Sequence, residues 1–229
     1  MARGLASAPV IIPKEKYRVV CPVDPLASGT WIAASDYGDV VCLLNGAFKK
    51  HKHRPPYRLS RGIVVLNYFE SGNPEQFSAD YNLGNIEPFT MVIVHRGKKP
   101  ELYELRWDGK EKFFTPLNEK EFHLWSSATL YDEESAARKL SSFQKILSEE
   151  RARIENRGEI SPEKLISIHR QFLYEEWVKP PQRVTEVSTL SVTAVESGFE
   201  SLTMHYRDLV NKEKQLTSIE LMLSGTNKF

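Results

Sequence analysis

The order of apolar and polar positions assigns most of this chain to elements. YRVVC (17–21), GTWIAAS (29–35) and DVVCLLN (39–45) are rich in β-branched and aromatic residues and read as strands. The last two flank Asp36-Tyr37-Gly38, a tight-turn signal, and so predict a hairpin. VVCLL is apolar at every position, which predicts a strand covered on both faces, by helices on one side and a second sheet on the other. Residues 60–70 and 74–82 predict two short helices; Asn73 can cap the second and Pro74 suits its first position, whereas GIVVL alone also fits a strand. EPFTMVIVH predicts a strand, LYELRWDGKEKFFTPL a hairpin about Asp108-Gly109, and EFHLWSSATLY an extended stretch. Asp132 opens a long helix with an acidic first turn, in which Ala136, Leu140, Phe143, Ile146 and Leu147 recur at helical spacing and predict one buried face. Ser161-Pro162 opens another helix, LISIHRQFLYEEW. VSTLSVTAV, SLTMHYRDLV and LTSIELML close the chain as strands. No repeat or linker divides this order, so residues 1–229 read as one domain of strands, helical blocks and strands again.

Composition narrows the class. The 229 residues are 41% hydrophobic and carry 31 basic against 30 acidic side chains, enough for a core and a net charge of +1. Such a balance gives no overall attraction to nucleic acid or an anionic membrane; either would need a local patch. No apolar run is long enough to span a bilayer. Cys21 and Cys42 sit in apolar runs and are expected to be buried, reduced and unreactive, and the chain is expected to be cytoplasmic. The short stretch before Pro13 is broken by Pro9 and does not read as a signal peptide.

The motifs of common catalytic chemistry are absent: no GxSxG, no glycine-rich phosphate loop, no HExxH and no paired CxxC. His51 and His53 in FKKHKHRPPYR lack a third ligand in the local sequence, so a solvated basic loop is expected there rather than a metal or anion site. His169 is expected to be packed, and neither metal nor cofactor is called for. More informative is GTWIAASDYGDVVCLLNG, whose second strand ends in Asn45-Gly46. An asparagine amide beside a glycine N–H could polarise a carbonyl, although Asn-Gly is also an ordinary turn.

GTWIAASDYGDVVCLLNGAF, PPYRLSRG, EPFTMVIV, LYELRWDGKE, LWSSATLY and a terminal TLSVT strand, in this order, resemble the NRDE family, which includes the transport and Golgi organisation proteins. GTWIA…LLNG and SRG are the most specific pieces. The resemblance implies an α+β fold of the N-terminal-nucleophile hydrolase kind, an αββα sandwich of two antiparallel sheets between helical layers. It also implies cleavage of amide or related acyl bonds by a terminal cysteine that is nucleophile and, through its α-amine, base. Asn45 matches the family's LLN position, which in related cysteine-type acylases supplies the oxyanion hole, and the resemblance implies Trp31, Gly46, Trp125, Ser126 and Ser127 as substrate contacts; Ser127 stands where the family has Asn. No Arg occurs in VSTLSVTAV, where related hydrolases often carry one.

The chain begins Met1-Ala2-Arg3, with Arg3 to Pro9 resembling the segment just after the family's Asn-Arg-Asp-Glu motif. The family's first strands, its nucleophile and that motif are thus expected to be missing, and neither cysteine is terminal. Two expectations follow. One is an ancestral C–N hydrolase acting on a small acyl amide, without amidase activity in this chain as it begins here. The other is a non-catalytic binding or scaffold protein of the same fold that handles lipids or acyl groups.

Overall fold

The computed structural model describes residues 7–154, 163–164, 166–169, 189–210 and 216–224, with backbone alone over the last turn of the long helix. Seven strands follow one another across an antiparallel sheet in chain order: β1 (Val10–Pro13), β2 (Arg18–Cys21), β3 (Ile32–Ser35), β4 (Val40–Asn45), β5 (Phe89–Arg96), β6 (Pro100–Trp107) and β7 (Lys112–Leu117). The second sheet, also antiparallel, orders β10 (Leu216–Met222), β9 (Ser201–Asp208) and β8 (Ser191–Ser197). The α+β arrangement of two antiparallel sheets with helices is the one expected from the sequence.

The two apolar faces of VVCLL are covered unequally, with Cys42 and Leu44 of the second face only half-buried. Val41 and Leu43 point with Phe89, Met91, Ile93 and Leu105 into a core closed by α1 (Arg61–Ser71) and α2 (Pro74–Asp80). On the other face Val20 and Ala34, with half-buried Val40, meet Leu202, Met204 and Leu221 of the three-stranded sheet. GIVVL is helical because Val64, Val65, Tyr68 and Phe69 fall on one face at i, i+1, i+4 and i+5, and all four are buried. Ser60 caps this helix by accepting from the Gly62 N–H, and Gly72 ends it at φ 61°. Asn73 caps α2 with a 2.7 Å bond from the Gln76 N–H.

Three expectations change. β1 is a strand that PVIIP, short and bracketed by prolines, does not announce; its register, Val10 opposite Cys21, makes it the sheet's edge. α3 (Glu133–Ile154) forms as expected, with Ser135 N–H on the Asp132 carboxylate, but Leu140 is exposed, and of the apolar set only Leu147 is fully buried. His169, on a short helical segment whose buried residues are Ile166 and Ile168, keeps solvent-accessible surface although burial around its ring lowers its pKa, and most of the helix expected after Pro162 lies outside the described residues.

Candidate functional site

Two glycines build one wall of the site. Gly29 lies just before β3 and Gly62 in the first turn of α1, and Thr30 N–H donates to Gly62 O at 3.3 Å. A Cβ on Gly29 would stand 2.7 Å from the Gly62 carbonyl carbon, and one on Gly62 would stand 2.7 Å from Thr30 N. Only the absence of both side chains lets helix and strand entry touch. GTW and SRG are therefore one contact, which seats Trp31 and Arg61 beside the end of β4.

Asn45 is the last residue of that strand, opposite Phe89. Gly46 turns the chain at φ 82°. Its N–H donates to Pro88 O at 3.0 Å and its carbonyl accepts from Thr90 Oγ1 at 3.0 Å. This corrects the expected pairing of side-chain amide and glycine N–H: the Gly46 N–H is spent on structure. Ser127 Oγ donates to the Asn45 carbonyl at 2.9 Å and sits 2.9 Å from Thr129 Oγ1, tying the 127–129 segment to the strand end. The Asn45 side-chain amide makes no hydrogen bond among the described residues, which leaves both its donor and its acceptor for a ligand.

A cavity of about 670 Å³ opens here, lined by Trp31, Asn45, Tyr57, Arg61, Glu87 and Ser127 among others. Trp125 and Ser126 do not line it. Trp125 turns away to donate from Nε1 to Glu104 at 2.7 Å, under the neighbouring β6.

The basic loop is largely solvated, as expected, but His51 turns inward. His51 is only 15% exposed, with Nε2 2.9 Å from Glu87 Oε1, and His53 Nδ1 lies 3.2 Å from the same oxygen. Arg61 reaches Glu87 Oε2 at 3.1 Å and donates to Pro88 O. Burial pushes the Glu87 carboxyl up, but hydrogen bonds from both histidines and the Arg61 charge outweigh it and hold Glu87 below its ordinary range. The partner that the two histidines lacked is 36 residues from His51 in sequence, and no local spacing could have named it. Three cationic or cationisable groups on one carboxylate make a rigid wall, and among the described residues no cluster of three or more His, Cys, Asp or Glu is arranged to hold a metal ion.

Neither cysteine serves this cavity. Burial raises the thiol pKa of Cys21 and of Cys42 to about 11, so neither is a thiolate near neutrality. Cys21 is buried as expected, whereas Cys42 is only partly so. Among the described residues, no Ser, Thr or Cys at the cavity is hydrogen-bonded to a histidine, lysine or carboxylate that could activate it.

A family model described as Transport and Golgi organisation 2 matches residues 2–216. By sequence, no curated protein matches the chain. Among solved structures, a variant of conjugated bile acid hydrolase from Clostridium perfringens superposes with a TM-score of 0.50 at 9% identity, covering 90% of this chain and 77% of that one. At that identity the likeness shows the fold, which is N-terminal-nucleophile hydrolase-like.

Proposed function

The chain belongs to the Transport and Golgi organisation 2 family, and we propose that its cavity binds the acyl part of a small amide or related acyl compound, with Asn45 facing the carbonyl. The observation that carries this is the unengaged Asn45 amide, held at a strand end by Ser127 and Gly46 and opening into a cavity of about 670 Å³. An amide donor carried on an anchored strand end can lower the energy of a developing oxyanion by donating to it. Trp31 and Tyr57 supply apolar wall, while Arg61, locked by Glu87, gives the wall its shape. On this reading the reaction is hydrolysis of a C–N or related acyl bond, by a nucleophile outside the described residues.

One observation favours a second reading. The described part of the cavity has no nucleophile–base pair, which fits a protein that binds acyl compounds without cleaving them. One experiment separates the two. Acyl amides and thioesters are titrated against the protein by calorimetry, which reports binding, while product release reports turnover. A catalytic protein is expected to lose roughly 10²–10³ in kcat on Asn45→Ala with its affinity little changed. Binding that depends on Asn45 without turnover establishes the second reading. Absence of both binding and turnover across the panel overturns the assignment of this cavity.

A further inference from the structure

The stretch from 40 to 69 contains no acidic residue, while Lys49, Lys50, Lys52, Arg54, Arg58 and Arg61 all fall within it. The rest of the chain is net acidic, 25 basic against 30 acidic residues. The near-neutral total therefore hides a local basic patch of the kind an anionic partner needs. Lys49, Lys50, Lys52 and Arg54 are exposed. Lys49 stands 3.7 Å from Glu133, but both side chains are 81% exposed and the pairing is weak. Among the described residues, the side chains of Lys50, Lys52 and Arg54 have no ion-pair partner.

This loop borders the Asn45 cavity through Tyr57, which lines it, and through His51 and His53, which bind Glu87 in its wall. Phe48, Lys49 and Lys50 line an adjoining groove of about 510 Å³ that shares Leu130 with the cavity. Leu130 is 41% exposed, Phe48 47%, and Leu26, in the loop whose Asp24 and Ala27 line the cavity, 70%. Exposed apolar side chains and unpaired cations thus share one rim. Asp132, just before α3, and Glu133 and Glu134 in its first turn line the same groove and bound the basic face there.

We propose that this rim docks on the surface of an anionic phospholipid bilayer, so that the cavity opens at the headgroup layer. Cations on one short loop act together because they lie within a screening length of the same charged surface, about 10 Å at 0.1 M salt. Leu26 and Leu130 argue for lipid over nucleic acid, since an aliphatic side chain gains from acyl chains and has no π-face to offer a base, and the ring of Phe48 is already packed against Phe113 and under Arg106. Docking is peripheral, since no described helix is long and apolar enough to cross a membrane. The surface does not require the cavity to be catalytic.

The test is co-sedimentation of the full chain with phosphatidylcholine vesicles, with and without phosphatidylserine, at low and high salt. Binding is expected to the anionic vesicles alone and to vanish at high salt. The triple variant Lys50→Gln, Lys52→Gln, Arg54→Gln is expected to weaken it by at least about tenfold. Leu26→Ser is expected to weaken it severalfold with the salt dependence retained. A charge-matched variant at the other end of the large sheet, Lys16→Gln, Lys98→Gln, Lys99→Gln, is expected to bind as the wild type does. All these side chains are exposed, so folding is not at stake. Equal losses in the two triple variants, equal binding to neutral vesicles, or retention of polyuridine without vesicle binding would each overturn the proposal.

Discussion

At the residue scale, the most buried carboxylate among the described residues lies far from the candidate site. Asp39, 2% exposed, accepts from Tyr68 Oη at 2.8 Å and the Arg96 N–H at 2.8 Å, with His95 Nδ1 3.0 Å from each carboxylate oxygen. Since Asn45 pairs with Phe89 and Val40 with Val94, this cluster sits at the opposite end of β4, about 17–20 Å away for a strand of this length. The hydrogen bond to Asp39 raises the His95 pKa, against the opposing effect of burial. A histidine whose folded pKa is raised adds stability that is complete below its unfolded value, near 6.5, and is lost as pH climbs through the folded one. His95→Gln is therefore expected to cost about 1–3 kcal/mol at pH 6, and clearly less at pH 9. Urea unfolding of both proteins at the two pH values measures this; a cost independent of pH would mean that the imidazole acts through packing alone. The cysteines give a second residue-scale expectation. With thiol pKa values of about 11, native Cys21 should react with a polar alkylating reagent only on unfolding, and Cys42 slowly despite its partial exposure.

At the scale of elements, two effects of opposite sign meet at Gly62. As a helical residue it costs about 1 kcal/mol relative to alanine, so propensity alone says that Gly62→Ala should stabilise α1. The added Cβ, however, would lie 2.7 Å from Thr30 N and 2.9 Å from Thr30 O, both backbone atoms with no rotamer to yield. Overpacking of this kind costs typically about 1–3 kcal/mol, so it is expected to win. The melting temperature should fall, and acyl-ligand binding should weaken further because Trp31 and Arg61 move apart. A rise in melting temperature would show that the helix start can slide off the strand entry freely. This contact also marks what the sequence could disclose. The hairpins, caps and α1–α2 punctuation were legible because they follow from neighbours: Asp108-Gly109, Asn73-Pro74, and apolar positions three and four apart. GTW and SRG were recognisable as motifs, but not as one contact. Glu87 as the partner of His51, the engaged Gly46 N–H and Trp125 turned toward Glu104 were not legible, since each depends on residues brought together only by sheet register.

For the whole molecule, the question is what holds the two sheets together. At the end away from the cavity the ties are polar. Arg18 pairs with Asp36 at 3.1 Å and donates to Met222 O, Ser224 N–H donates to Asp36 O, and Arg96 donates to the Gly198 and Phe199 carbonyls. Between the sheets lies a small apolar layer of Val20, Ala34, Leu202, Met204 and Leu221, all nearly inaccessible. The two contributions differ in size. Arg18 is 47% exposed, and an ion pair that wet is worth at most about 1 kcal/mol, less in salt. A fully buried leucine cut to alanine costs about 2–5 kcal/mol, because the lost transfer energy adds to a cavity the backbones cannot close. Small partners such as Ala34 leave little room to relax into that space. The apolar layer should therefore carry the association and the arginines its alignment. Leu202→Ala is expected to lower stability by about 2–5 kcal/mol, equally at low and high salt. Arg18→Gln should cost no more than about 1 kcal/mol, shrinking as salt is raised. Paired denaturation curves at the two salt concentrations decide it. If the arginine proved the costlier and the salt-sensitive loss, the sheets would be held by charge at one end, and the end bearing Asn45 would be free to open.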